Sequence, residues 1–339
     1  MHAMKQIAWW LVGLTAPLLL PAAQTTTTVP VGALSFTINA GSVAVPANTS
    51  FAIPLLDTPL ATGAGVARIS SLTSTTITAT GAGWTAGALA TAAFPYAFRI
   101  TTGAAAGATF AITDNTTDTL TTTAVDFTTL GIVTGASGDS FRLIPVDTLN
   151  TLFGSTTLLG GTTATDADIV TLSSTSQLSY YYNTTLGRWI RTIGPTTDRG
   201  NTPISLDSAV TITRKSTALT LRFTGRVPDV RFSLVVANSG NTYTHTGFPT
   251  DVTLGVLSLQ TALSGWVSAA SASNADILWV DIGGSSLAYF HNGSYWQRTI
   301  GPATNRDSNV ISAGTPIIIF KRGTSSGTST LIRNLPYSL

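Results

Sequence analysis

Hydrophobic positions in this chain fall mostly in short alternating runs, bounded by glycine, proline, asparagine or aspartate. A period of two marks strands with one buried face. It predicts strands at Leu34–Ile38, Ser50–Ile53, Ala67–Leu72, Thr75–Thr80, Tyr96–Thr101, Thr109–Thr113, Thr119–Thr123 and Ser140–Ile144. Gly63-Ala64-Gly65, Gly81-Ala82-Gly83, the run from Gly103 to Gly107, and Asp114-Asn115 supply the turns between them. Short strands so closely spaced imply a sandwich or a barrel-like domain. This first β-domain is placed at residues 34–143.

One stretch does not alternate. Ile7 to Leu20 is an apolar run broken only by Thr15, follows Lys5 and precedes the small residues Pro21-Ala22-Ala23. At about 14 residues it is shorter than the roughly 20 that span a bilayer, and the pattern is that of a secretory signal peptide. Residues 1–23 are therefore read as a signal and 24–33 as a flexible threonine-rich linker. The expected mature protein is exported, extracellular or at the cell surface, with no transmembrane anchor.

Beyond residue 143 the pattern occurs twice. The first copy runs from Ala167-Asp168-Ile169 through Tyr180-Tyr181-Tyr182 and Trp189 to Arg191-Thr192-Ile193-Gly194-Pro195. The second runs from Ala275-Asp276-Ile277 through Tyr289-Phe290-His291 and Trp296 to Arg298-Thr299-Ile300-Gly301-Pro302. Ala167 to Ala275 is a step of 108 and Trp189 to Trp296 a step of 107, which predicts one residue lost in the turn between. Asn292-Gly293 is a strong hairpin signal in the second copy, where the first has the longer Asn183-Thr184-Thr185-Leu186-Gly187. Each copy is preceded by Pro-x-Asp, at Pro145 and Pro249, with Asp147 expected to cap a short helix that ends at Gly154. Each closes on an apolar strand with a terminal basic pair, Arg214-Lys215 and Lys321-Arg322. Two tandem β units follow, at 144–230 and 231–339.

The doubled Ala-Asp start, aromatic strand, Trp-x-Arg step and basic pair resemble an uncharacterised family of exported, repeat-containing proteins from verrucomicrobial-type bacteria. Gly83-Trp84-Thr85-Ala86-Gly87, Thr102-Gly103-Ala104-Ala105-Ala106-Gly107 and Gly138-Asp139-Ser140-Phe141-Arg142 are similar to it as well. The resemblance implies export and a β-rich repeat fold, and no activity.

Composition narrows the function classes. The chain contains no Glu, three Lys and no cysteine, and its net charge is +2. Lys, Glu and Gln favour helices whereas Thr, Val and Ile favour strands, so the balance supports an all-β protein. Without cysteine, neither disulfides nor thiolate metal sites contribute. No cluster of Lys and Arg marks a nucleic-acid partner. A weakly charged, hydroxyl-rich surface suits packing against copies of the same chain.

Candidate chemistry is sparse. His245 sits in the polar run Asn241–Thr246 and is expected in solvent; His291 occupies the place of Tyr182 and reads as a packing or rim position. No Ser-His-Asp set and no phosphate cradle are present, so the chain is read as no enzyme and as needing no cofactor. Paired aspartates remain the one route to hydrolysis. Asp166, Asp168, Asp114, Asp118 and Asp126 are oxygen donors that calcium would accept, but no calcium-loop pattern fits; Asp168 and Asp276 are read as fixing turns, with no metal. Tyr180, Tyr182 and Trp189, with Tyr289, Tyr295 and Trp296, fall on the hairpins and suit a packed cluster, a subunit contact or a sugar-stacking face. Arg191 and Arg298 join them as binding candidates, and Arg191, Arg298, Arg199 and Arg306 are expected to pair with Asp198 and Asp307. The reading is an exported structural or surface protein that self-assembles through strand contacts. The alternative is a non-catalytic carbohydrate-binding module using the hairpin aromatics on a surface glycan.

Overall fold

The computed structural model describes residues 30–57, 60, 66–123, 125–173, 177–282, 285–323 and 327–338. The signal at 1–23 and linker residues 24–29 lie outside these. Strand accounts for 41% and helix for 6% of the structure, so the protein is all-β. Among the described residues no helix is long and apolar enough to cross a membrane.

In chain order come β1 (Val31–Ile38) and β2 (Ala47–Phe51), then eight short strands. These are β3 (Val66–Arg68), β4 (Ser71–Leu72), β5 (Thr76–Thr78), β6 (Tyr96–Ile100), β7 (Thr109–Ala111), β8 (Asp114–Asn115), β9 (Thr119–Thr121) and β10 (Ser140–Pro145). Helix α1 (Leu149–Phe153) leads to β11 (Ile169–Ser173), β12 (Gln177–Asn183), β13 (Arg188–Arg191), β14 (Ala209–Arg214) and β15 (Leu219–Arg226). The rest of the chain holds β16 (Phe232–Ala237), β17 (Ser239–His245), β18 (Val252–Thr253), α2 (Leu254–Leu257) and α3 (Leu259–Ala262). It ends with β19 (Ile277–Ile282), β20 (Ser285–His291), β21 (Trp296–Arg298), β22 (Val310–Ile311), β23 (Pro316–Arg322) and β24 (Thr328–Arg333).

Strand pairing does not follow the boundaries drawn from sequence. β1 pairs antiparallel with β15, Val31 opposite Arg226 and Ile38 opposite Leu219, and β2 pairs with β14. β16 pairs with β24, and β17 with β23, in the same way. Residues 31–51 are thus partners of the first repeat and not of the strands that follow them, and residues 31–33, assigned to the linker, are strand. The cause is aromatic packing across long sequence separations. Phe36 stacks on Phe51 at 4.9 Å, and Phe51 on Phe223 at 5.6 Å, contacts that an alternating pattern does not reveal.

The segment from β3 to β10 is inserted between β2 and α1. It forms two four-stranded sheets, β3-β10-β6-β7 and β4-β5-β9-β8, neither closed into a barrel. Both share one core around Ile77, Phe98, Leu120, Phe127 and Phe141. The expected strand Ala67–Leu72 serves both sheets. The Ile69 N–H bonds Asp139 O, whereas the next N–H, of Ser70, bonds Thr78 O, so the run breaks where it changes partner. Asp114-Asn115, expected as a turn, is strand β8, and the buried Asn115 side chain ties the loop at 85–89 to it. Its oxygen accepts the Leu89 N–H at 2.9 Å and its amide donates to Thr85 O and Thr116 O.

Each repeat carries a five-stranded sheet, β13-β12-β11-β14-β2 and β17-β23-β19-β20-β21, over its own core. The registers resolve the offset between the copies. Leu172 faces Leu178, six residues on, while Val280 faces Leu287, seven on. Tyr182 faces Trp189, seven on, while His291 faces Trp296, five on. The single predicted deletion is in fact one residue gained in the first hairpin and two lost in the second. The helix cap also differs from expectation. Thr148, not Asp147, caps α1, accepting the Thr151 N–H at 3.2 Å, while Asp147 accepts the Thr151 hydroxyl. Gly154 ends the helix at φ +60°, a backbone state that glycine adopts without cost.

Candidate functional site

The hairpin aromatics lie inside the units. Trp189 and Trp296 are 1% exposed and Tyr180 and Tyr289 2%. Trp189 packs edge-on against Tyr182 at 5.9 Å, and Trp296 against His291 at 5.6 Å. A sugar cannot stack on a ring already covered on both faces, so this set offers no stacking platform. Tyr182 and Tyr295 are half-buried beside it. Arg191 and Arg298 sit opposite Tyr180 and Tyr289 on the outermost strands.

The expected pairs with Asp198 and Asp307 do not form among the described residues. Asp198 instead accepts the Gly200 N–H, and Asp307 the Trp296 N–H, both at 2.8 Å. The backbone N–H of Arg199 bonds Trp189 O, and that of Arg306 bonds Trp296 O, also at 2.8 Å. These bonds close the outer edges of β13 and β21. A backbone edge satisfied by its own loop is unavailable to another strand.

The duplicated aspartates are anchors. Asp168 accepts the Leu159 N–H at 2.8 Å and the Lys215 N–H at 2.7 Å; Asp276 accepts the Val267 N–H at 2.9 Å and the Arg322 N–H at 2.8 Å. Both are 1% exposed or less. A buried carboxylate with its lone pairs used this way pins the loop before β11 or β19 to the end of β14 or β23. Among the other calcium candidates, Asp166 accepts from the Thr163 hydroxyl and Asp126 caps a short helical turn.

His245, expected in solvent, is 3% exposed at the junction of the two repeats. Its Nδ1 accepts the Gly247 N–H at 2.8 Å, so Nε2 carries the proton and donates to Leu206 O at 3.0 Å. Burial, and then Arg99 and Arg333, push its pKa down to about 4. Asp207 nearby is raised to about 6 by burial, against the attraction of Arg99. One pair of carboxylates does meet: Asp57 and Asp147 line a cavity of about 60 Å³ with Leu55, Leu56, Ile204 and Phe223. Burial, then the charge of Asp147, raises the Asp57 carboxyl.

Sequence reasoning missed the residues that are exposed. On the outer face of the second sheet, Trp279 is 38% exposed and stands between Ile318 of β23 and Ala288 of β20. Phe320 lies beside it, opposite Ile277 and Asn241. Aligning the copies strand by strand would have shown this, because Trp279 replaces Thr171 and Phe320 replaces Thr213.

β1 differs from the β13 and β21 edges. Its inward residues Leu34, Phe36 and Ile38 alternate with exposed Val31, Ala33, Ser35 and Thr37. It bonds β15 on one side and meets no strand on the other among the described residues. No protein-family model, curated protein or solved structure matches this chain.

Proposed function

We propose that this protein is an exported structural protein that associates with copies of itself through main-chain pairing at β1, outside the cell or on its surface. The observation that carries the reading is the eight-residue edge of β1, whose outer main-chain groups face no partner strand among the described residues. Such an edge is a template for strand addition. Its exposed residues are small or apolar and carry no charge, so nothing on them repels a second copy. The outward groups of β13 and β21 that bond their own loops make the contrast. An antiparallel pairing of β1 with itself would be isologous and would close as a dimer; pairing with another chain's segment before residue 31 would propagate into a polymer.

The test is light scattering of the mature chain over a concentration series, beside a form starting at residue 31 and a Ser35→Lys/Thr37→Lys variant. Association of the mature chain that the lysines abolish supports the reading. Loss in the shortened form as well identifies the propagating mode. A mature chain that stays monomeric throughout overturns it.

A further inference from the structure

The two repeats present the same sheet face with opposite chemistry. In the first, Thr171, Ser179, Thr211 and Ser50 form a hydroxyl row across four strands. Ser50 bonds Thr211 at 2.9 Å and Thr171 bonds Ser179 at 2.8 Å, while Thr213 donates to Asn48 at 2.8 Å. The registers place Trp279, Ala288, Ile318 and Tyr243 at the corresponding points of the second. A self-satisfied polar face has become an aromatic one on an unchanged scaffold. Only Asn48 keeps its identity, as Asn241.

Trp279 belongs to neither hydrophobic cluster of this unit, whereas Phe320 packs on Ile277, Ala288 and Phe290. The first unit covers an equivalent sheet with hydroxyls that bond to one another. In the second, Leu278, Val280, Ile317 and Ile319 fill the core from the opposite face. Trp279 therefore stays partly in water without completing that core. An indole held on a rigid central strand, with two strands on one side and two on the other, is a preorganised surface.

Its surroundings select the ligand class. Asn241, Ile277, Trp279, Ile318, Phe320 and Arg322 line a shallow cavity of about 320 Å³. The one cation in it is already engaged. Arg322 donates from Nε to Ala275 O at 2.6 Å and from a terminal nitrogen to Ala272 O at 2.8 Å, with its guanidinium carbon 5.3 Å from the Phe320 ring centre. These bonds fix the guanidinium at one end of the face, while Asp281, two residues beyond Trp279, stands toward the other end with the opposite charge. The ring face for C–H groups then has the exposed Asn241 and, two residues further along β19, Asp281 as polar partners. Gln177 of the first repeat, bonded to the Tyr243 hydroxyl at 3.1 Å, borders the face. That chemistry fits a neutral sugar, whose flat C–H face stacks on an aromatic ring while its equatorial hydroxyls seek amide and carboxylate groups.

We infer that the outer face of β19 and β23, centred on Trp279, is a binding site for a neutral oligosaccharide. This site is separate from the hairpin aromatics, which are buried, and from the β1 edge, so it stands whether or not the chain self-associates.

The experiment uses the mature protein with three probes: β-1,4-linked glucose hexamer, β-1,4-linked N-acetylglucosamine hexamer, and polygalacturonate as an anionic control. Calorimetry and tryptophan fluorescence report binding for wild type, Trp279→Ala, Trp279→Phe and Thr171→Ala. Expected is binding of at least one neutral hexamer, weakened roughly three- to tenfold in Trp279→Ala, the scale of a lost aromatic contact. Trp279→Phe should weaken it less and Thr171→Ala not at all, while circular dichroism confirms that each variant is folded. Three outcomes overturn the inference. One is no response to either neutral hexamer at millimolar concentration. Another is binding that Trp279→Ala leaves unchanged or that polygalacturonate matches. The third is a dimer that Trp279→Ala dissociates, which would make a second copy the occupant.

Discussion

The guanidinium of Arg214 closes on the buried carboxylate of Asp168, whereas Lys321, its counterpart in the second repeat, does not reach Asp276. Lys321 extends instead to Ser264 O at 3.2 Å and Gly265 O at 2.6 Å. Two aspartates with matching backbone bonds therefore sit in different electrostatic settings. Removing Asp168 strands a guanidinium that is 8% exposed, a loss of about 3–5 kcal/mol for a broken buried pair. Asp276→Asn keeps an acceptor for one N–H and strands no cation, so about 1–3 kcal/mol is expected. Urea denaturation of Asp168→Asn and Asp276→Asn should show the first to be the more damaging; equal losses would contradict the assignment.

The two buried tryptophans should also differ. Trp189 donates Nε1–H to Gly154 O at 3.0 Å, tying the hairpin to the end of α1, but the Trp296 Nε1 is buried without a partner among the described residues. Both indoles fill cores, so replacement by alanine should cost about 3–5 kcal/mol in either. Replacement by phenylalanine separates them, because Trp189→Phe leaves Gly154 O without its donor whereas Trp296→Phe removes an unsatisfied one. Thermal melts should place Trp189→Phe below Trp296→Phe.

Acid should weaken the repeat junction through His245. Its folded pKa, about 4, lies below the ordinary 6.5, so between these values the unfolded chain binds more protons than the folded one. Its contribution is complete above pH 6.5 and declines as pH falls toward 4, by about 3 kcal/mol in all. Asp207 works in the opposite sense, since a carboxyl raised to about 6 favours the folded state as pH falls from 6 toward 4. The two nearly cancel in wild type, so the effect is read by difference. His245→Gln should lose stability relative to wild type at pH 7 and regain ground by pH 4.5. A gap between the two proteins that stays constant with pH would refute the assignment.

Gly107 fixes the inserted sheets to the chain between the repeats. Its φ is +91°, and a Cβ there would stand 1.8 Å from Arg231 O, against which backbone cannot yield. Arg231 answers by donating to Ala106 O at 3.0 Å and Gly103 O at 3.0 Å. Gly107→Ala should therefore cost well over about 1 kcal/mol and open this junction first. Limited proteolysis should cut near residues 226–231 before the repeat sheets lose their circular-dichroism signal.

The sequence by itself determined the class and the internal symmetry of the protein. Alternation with period two encodes strands locally, and the repeated positions return as matching bonds within each unit, through the aspartate carboxylates and through the Arg199 and Arg306 backbone N–H groups on Trp189 O and Trp296 O. Asp168 and Asp276 read in the sequence as fixing turns, but they accept the Lys215 and Arg322 N–H groups 47 and 46 residues away, which a local pattern does not reveal. Partnership between distant strands was not legible. β1 and β2 alternate like the strands of the insertion, and only the packing of Phe36 on Phe51 and Phe223 joins them to β14 and β15. The tertiary structure also decided which aromatics face water. Alternation places Trp189 and Trp279 equally on one side of a strand, but Phe153 of α1 packs on the first, whereas Trp279 stays 38% exposed at the margin of a face whose Ile277, Ala288 and Phe290 are buried. His245 shows the same limit: its neighbours in sequence are polar, and its burial comes from Leu206, Arg99 and Arg333, which only the folded chain brings to it.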